Sequence, residues 1–333
     1  MALVKIICPP HVSLRNKPKN LHPNDEKLFE IEFSKEIPAT VFLKLSCVFV
    51  IKDTIFNPKR LHFYLKYTHL QKLPKKSLLK RLFIFLSRKS EKQLSKAIWI
   101  TDEWSHSYFH WLTDALPRLI AVEFEEKNSQ SYTVLLPKRF EKYPYVQQSL
   151  QWLGYQFYFF SQKVFIKELL LPSHTAPTGN YNHFVINKLR EKFLANRKST
   201  LHRKVYISRA KAHKRKILNE QAVIEILQNY GYEIHFFEDY SLEKQIEIMS
   251  QTKFLISIHG AGLTNMLFMP QGGQILELRT ENDMHNNCYF SLASDLGHDY
   301  YYQLNKSCAK DTQNSDIQVD IEILKKNLET IHL

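Results

Sequence analysis

The chain has 333 residues, 44% of them hydrophobic and 24% charged, and a formal net charge of +13 at pH 7. That composition supports a sizeable core and excludes wholesale disorder, while eight glycines and thirteen prolines exclude a collagenous or linker-like chain. At about 150 residues per domain, the length points to two domains.

In chain order, 3–8, 41–51 and 97–100 read as strands. Residues 108–126 read as a helix bent near Pro117. A strand at 132–136, a helix at 143–153 and a strand at 164–171 follow. The turn formers of 172–180 mark the domain boundary. In the second half, 183–197 is predicted helical and 204–208 a strand. Asn219 is placed to cap a helix over 220–230, which Gly231 ends. Strands at 233–237, 254–258 and 274–278 alternate with helices at 242–250, capped by Ser241, and 263–268. Alternating strands and helices imply an α/β fold built on parallel sheets. Apolar residues at 317, 321, 324 and 328 predict an amphipathic C-terminal helix.

Cys8, Cys47, Cys288 and Cys308 include no C-x-x-C pair, which argues against a disulfide framework or a cysteine zinc site and suits a reducing compartment. The opening MALVKIICPP has no basic n-region before an apolar stretch, so no signal peptide is expected. The run 41–51 is interrupted by Lys44 and is far shorter than the roughly 20 residues that span a bilayer. The expected location is cytoplasmic, with at most peripheral contact at the inner face of the membrane.

The positive charge is concentrated. Residues 51–100 hold 13 Lys and Arg against 2 Asp and Glu, whereas 201–333 hold 14 against 17. The segment KLPKKSLLKRLFIFLSRKSEKQLSK (72–96) is either a solvated helical face or a surface for an anionic acceptor or membrane, with Lys75, Lys76, Lys80 and Arg81 as its contacts. Nucleic acid is not the expected partner. Aromatics are not interleaved with the basic residues, and no binding motif is present.

The sharpest local pattern is an apolar strand running into His259-Gly260-Ala261-Gly262-Leu263-Thr264-Asn265. Glycines let a backbone approach a phosphate, and a helix N-terminus offers N–H groups to it. The alternative is a tight turn with no ligand. Upstream, a predicted strand ends in a basic loop carrying Arg209 and Arg215, suited to a diphosphate or base. Downstream, Glu277 lies inside an apolar strand, where it needs a partner: ribose hydroxyls or a structural group such as a buried Arg. In the first half, His106, His110 and Asp114 recur every four residues on one helix side. His110 and Asp114 suit an acid–base pair, a metal site or a structural contact. The Glu that follows the first His of a zincin is absent.

Taken together, Ser208-Arg209, Arg215, Asn219-Glu220, Ser241-Leu242, Gln245, His259 to Pro270, Glu277 and His110 to Leu119 resemble glycosyltransferase family 61. The resemblance covers about 100–120 and 204–279. It implies a GT-B-like fold, two Rossmann-like domains facing a cleft: 1–176 on the acceptor side with the basic segment 51–100, and 177–333 binding the nucleotide sugar. The C-terminal helix is then free to pack back on the first domain. The resemblance further implies inverting transfer from a UDP-sugar such as UDP-xylose, UDP-arabinose or UDP-N-acetylglucosamine to a glycan or glycolipid. It places the chain in the bacterial branch associated with surface polysaccharides. Arg209, Arg215, His259, Gly260, Ala261, Gly262, Leu263, Asn265 and Glu277 would hold the donor. Asp114 is the first choice for the base and His110 the second. No cofactor and no metal are expected: the sequence has no D-x-D to hold a divalent ion on a diphosphate. The competing expectations are a non-catalytic basic protein docking on membrane or nucleic acid, and a binding-only remnant of the transferase fold.

Overall fold

The apolar run Thr40–Ile51 forms a strand buried along most of its length, as its Val, Leu, Phe and Ile content favours. Lys163–Pro172 pairs antiparallel with it, Val164 opposite Val50 and Leu171 opposite Leu43. Beyond it, Lys92–Ile98, Thr133–Pro137 and Phe157–Phe160 follow, each parallel to its neighbour. Leu3–Cys8, Thr54–Asn57 and His62–Phe63 complete this mixed sheet on its antiparallel side. Its core includes Leu45, Val48, Ala97, Trp99, Leu135 and Ile166.

The computed structural model describes residues 3–195, 197, 200–281, 283, 286–308 and 315–332. The chain divides into two units, Met1–His11 with Pro38–Pro177 and Val12–Ile37 with Thr178–Leu333. The structure is α/β, as expected. The division differs from a single cut after 176, because 12–37 belongs to the second unit. Arg15 ion-pairs there with Glu32 at 3.1 Å and with Asp295 at 2.9 Å, and Ser13 donates to Asp295 at 2.7 Å. Phe29 packs edge-on against Phe290 and Tyr302. A segment so anchored by partners more than 250 residues away leaves no local pattern to read.

The second unit holds a parallel sheet in the order Glu233–His235, Arg203–Ile207, Thr252–Ile258, Gln274–Thr280, Asp299–Ser307. The short strand Ile317–Gln318 adds antiparallel to its edge. In chain sequence the parallel strands lie in the order 2-1-3-4-5. The direction of winding therefore reverses between Arg203–Ile207 and Thr252–Ile258. In open α/β sheets ligands bind at that switch, outside the carboxyl ends of the strands.

Several expected elements shift. The strand expected at 97–100 lies at Lys92–Ile98, although the Trp99 N–H still bonds Leu170 O at 3.0 Å. The helix at 183 ends at Leu194, and Asn196, inside its expected range, lies outside the described residues. The tail helix is Ile321–His332, because 317–318 is drawn into the sheet. Asp320 caps it by accepting from Glu322 and Ile323 N–H at 3.0 and 3.1 Å. Leu324, Leu328 and Ile331 of this helix join the second unit's core with Val223, Leu227 and Ile256.

The helix after Ser107 contains no break at Pro117. Its turn 111–115 is widened, and Leu116 N–H reaches back five residues to Trp111 O. Proline lacks an N–H and its ring crowds the carbonyl four residues earlier. The wide turn sets these groups apart, and Thr113 Oγ1 donates to Phe109 O at 2.8 Å.

Asn219 does not cap the helix Glu220–Asn229. Its side chain instead donates to Val319 O at 2.8 Å and accepts from Val319 N–H at 3.0 Å, tying two distant segments together. Asn219→Ser keeps capping chemistry but is too short for this tie. It should lower stability by about 1–3 kcal/mol, the range for stranding buried backbone groups. A urea midpoint equal to the parent's would show that the tie contributes nothing.

Candidate functional site

At the switch point the strand Thr252–Ile258 runs through His259 and Gly260 into the tight helix Ala261–Phe268. The first turn of a helix has N–H groups without partners inside it, and these attract anions. Two close approaches require glycine here. A Cβ on Gly260 would lie 2.5 Å from Arg209 Nη1, and one on Gly262 would lie 3.0 Å from Ile207 Cγ2. Leu263 and Asn265 are buried. Asn265 bonds back to Gly262 O at 3.0 Å, so both shape the turn from beneath. Ala261 stands half-buried at its mouth.

Arg209 follows the neighbouring strand Arg203–Ile207 and lies across Gly260. It donates only weakly, to Lys214 O at 3.3 Å. Burial first, then the like charge of Arg215, holds the Arg209 guanidinium below its ordinary pKa. The Nε atoms of both arginines are buried with no acceptor among the described residues. Arg215 also has a left-handed backbone, φ +58°, at a cost of about 1–2 kcal/mol. The loop is fixed in place by Lys216, whose N–H bonds Asp316 Oδ1 at 2.8 Å and whose carbonyl accepts from Ile317. The two cations thus share a strained, half-buried loop.

Glu277 has structural partners, one of the two settings expected. It is fully buried, one oxygen against His259 Nδ1 and the other accepting from Tyr300 OH at 2.5 Å. Burial alone would raise its pKa. The charge of His259 and its hydrogen bond, followed by Arg279 and Tyr300, outweigh burial and hold it below the usual range. Bonding through Nδ1 fixes the orientation of the His259 ring beside the turn, with Tyr289 edge-on at 5.0 Å.

In the first unit, His110 Nδ1 lies 2.6 Å from Asp114 Oδ2. Asp114 is buried, whereas His110 is half-buried between Trp104 and Phe109. A second pair was not foreseen: His174 Nε2 lies 2.7 Å from Asp102 Oδ2. Asp102 follows the strand Lys92–Ile98 and His174 follows Lys163–Pro172. These strands are parallel, so both residues stand at one sheet edge. Burial opposes the Asp102 charge, but His174 and then Arg118 hold its pKa far below the usual range. Arg118 is wholly buried and donates to Pro172 O at 2.6 Å and Tyr67 O at 2.7 Å. Burial pulls its pKa down to about 10 despite the charges of Asp102 and Asp114. A polar residue just past a predicted strand end was the available signal for Asp102 and His174.

The basic segment divides in two. Lys75, Lys76 and Lys80 are exposed on the helix Lys75–Ser87. Arg81 is not available to a partner, because it is buried, ion-paired with Asp53 and bonded to Ser77 O at 3.0 Å.

Because the folded Glu277 titrates below its ordinary value of 4.5, its stabilisation is complete above that pH and declines as pH falls through the folded value. Glu277→Gln should lose about 3–5 kcal/mol at pH 7, as when one partner of a buried ion pair is removed. The gap to the parent should narrow below about pH 4.5. Urea unfolding at neutral and acid pH tests this, and a gap independent of pH would refute it.

The comparisons with known proteins point to this same span. The EGF domain-specific O-linked N-acetylglucosamine transferase of Drosophila melanogaster is 32% identical over 116 residues, 34% of this chain and 21% of that protein. Its counterparts in Bos taurus and Canis lupus familiaris are 32% and 33% identical over 91 residues, 26% of this chain and 17% of each protein. The chain thus matches about a fifth of these relatives' length. The sequence profile described as Glycosyltransferase 61 matches residues 108–276, half of the chain, from the His110–Asp114 helix through the Arg209 loop and the Gly260 turn. The chain belongs to glycosyltransferase family 61.

Proposed function

We propose that this protein is an inverting glycosyltransferase that moves a sugar from a nucleotide diphosphate donor to a hydroxyl of a glycan or glycolipid. The observation that carries the reading is the Arg209–Arg215 pair beside the glycine turn at the switch point. The pair and the helix N-terminus neutralise a diphosphate without a divalent ion, in line with a sequence that lacks D-x-D. In the GT-B arrangement that the family resemblance implies, donor and base come from different units. The anion site and the His110–Asp114 pair each lie within one unit. UDP is the proposed carrier. N-acetylglucosamine, the sugar in the relatives' names, is the first sugar to test. Cell-surface polysaccharide synthesis at the cytoplasmic side, in a bacterial branch of the family, is the proposed setting.

The geometry favours His110 as base and Asp114 as its orienter, reversing the order expected from sequence. Asp114 is the more buried and bonds Nδ1, which leaves Nε2 as the ring's acceptor. In the reaction, the acceptor oxygen bonds the anomeric carbon from the face opposite the diphosphate. Its proton passes to His110 Nε2. The anomeric C–O bond breaks, and the diphosphate leaves with the electron pair toward Arg209 and Arg215.

Arg209→Ala and Arg215→Ala should each weaken UDP binding about 10–100-fold, corresponding to about 1.5–3 kcal/mol for a hydrogen bond to a charged group. Calorimetry showing parent-like affinity for both variants would remove the donor assignment. His110→Gln should lower turnover about 10²–10⁴-fold with UDP affinity unchanged. Near-parent turnover in that variant excludes His110 as the base. Transfer rates should be equal in EDTA and in Mn²⁺; loss in EDTA with recovery on Mn²⁺ would count against the metal-free reading.

A further inference from the structure

The helix Lys75–Ser87 has one face that the protein uses and one that it does not. Inward, Ile84 joins Ile51 and Phe56 in a core cluster, with Phe85 edge-on to Phe49 at 5.1 Å and to Phe56 at 4.9 Å. Arg81 pairs with Asp53, and Lys163 Nζ donates to Phe85 O at 2.6 Å. These contacts fix the helix to the sheet. Outward, Leu79, Phe83 and Leu86 are 64%, 68% and 80% exposed. At 3.6 residues per turn they fall within one arc about 60° wide. Lys75 borders that arc on one side, and Lys76 and Lys80 on the other.

We propose that this face is an in-plane docking surface for an anionic lipid bilayer. Leu79, Phe83 and Leu86 enter the headgroup–acyl boundary, and the flanking lysines pair with lipid phosphates. The two chemistries on one face select this occupant. A polyanion such as nucleic acid would satisfy the lysines but leave the apolar stripe in water, whereas a bilayer interface takes both. Charge is complementary to it: residues 51–100 carry 13 basic side chains and 2 acids. Both acids have partners within the protein. Asp53 is paired with Arg81, and Glu91 accepts from the N–H groups of Ser161 and Gln162. No described helix is long and apolar enough to cross a membrane, and this mode of contact requires none. The inference is independent of the transfer reaction.

The test is partitioning of the full chain onto vesicles of phosphatidylethanolamine with phosphatidylglycerol, against vesicles of phosphatidylcholine alone. The protein should bind the anionic vesicles, and high salt should weaken the binding. Replacing Leu79, Phe83 and Leu86 together by Ser should weaken it on the order of 100-fold. Lys75→Glu, Lys76→Glu and Lys80→Glu together should abolish the preference for anionic lipid. Thermal unfolding midpoints and UDP binding should match the parent in both variants, since these side chains face away from the core. The proposal is overturned by equal binding to both vesicle types, or by a serine variant that binds like the parent. It is also overturned if the stripe instead joins two copies, seen as a dimer in sedimentation that the serine variant loses, without vesicle binding.

Discussion

Arg209 can lie across the chain at Gly260 only because no side chain stands there. A single Cβ would sit 2.5 Å from the guanidinium. The contact joins the ends of two adjacent parallel strands, one delivering the arginine and the other the turn. The neighbouring charges are arranged around that apposition. Arg215 is brought against a like charge by a left-handed kink. Glu277 is committed to His259 and Tyr300, and the carboxylate whose charge acts on Arg209 is Glu238.

In the sequence, strands such as Thr252–Ile258 and Gln274–Thr280 were legible because their cores are apolar runs, and the helices at 220 and 242 because they carry their own punctuation. Ser241 accepts from Lys244 N–H, and Gly231 takes φ +79° just past its helix. The glycine turn and the two arginines were legible for the same reason: their chemistry is written in adjacent residues. What could not be read was set by distant partners. Asn219 has the composition of a cap, but Val319, 100 residues away, claims its side chain. Glu277 looked available to a ligand because nothing local shows that Tyr300 stands opposite it. Arg81 counted toward a basic surface until Asp53, 28 residues earlier, was seen to bury it. The strand Asp299–Ser307 was missed because its tyrosines and polar residues do not alternate as a half-buried strand would.

The first unit shows how a buried cation organises acid groups without neutralising them. Arg118 gives its hydrogen bonds to carbonyls and its field to Asp102 and Asp114. Each acid remains paired with its own histidine. The result is two imidazoles held in fixed orientation, both supported by one charge that water does not reach.

The widened turn at 111–115 acts as a phase shift. A regular α-helix advances about 100° per residue, so one extra residue in a turn rotates all that follows by about that angle relative to all that precedes. His110 lies before the shift and Arg118 after it. Eight residues of a uniform helix would set the two about 80° apart; the extra residue reduces this to about 20°, so His110 and Arg118 lie on one side of the helix. Deleting one residue from this turn would impose the regular α-helical pattern and press Pro117 against the carbonyl four residues earlier. It would also turn Arg118 away from the Pro172 carbonyl, leaving the two acids without their common cation.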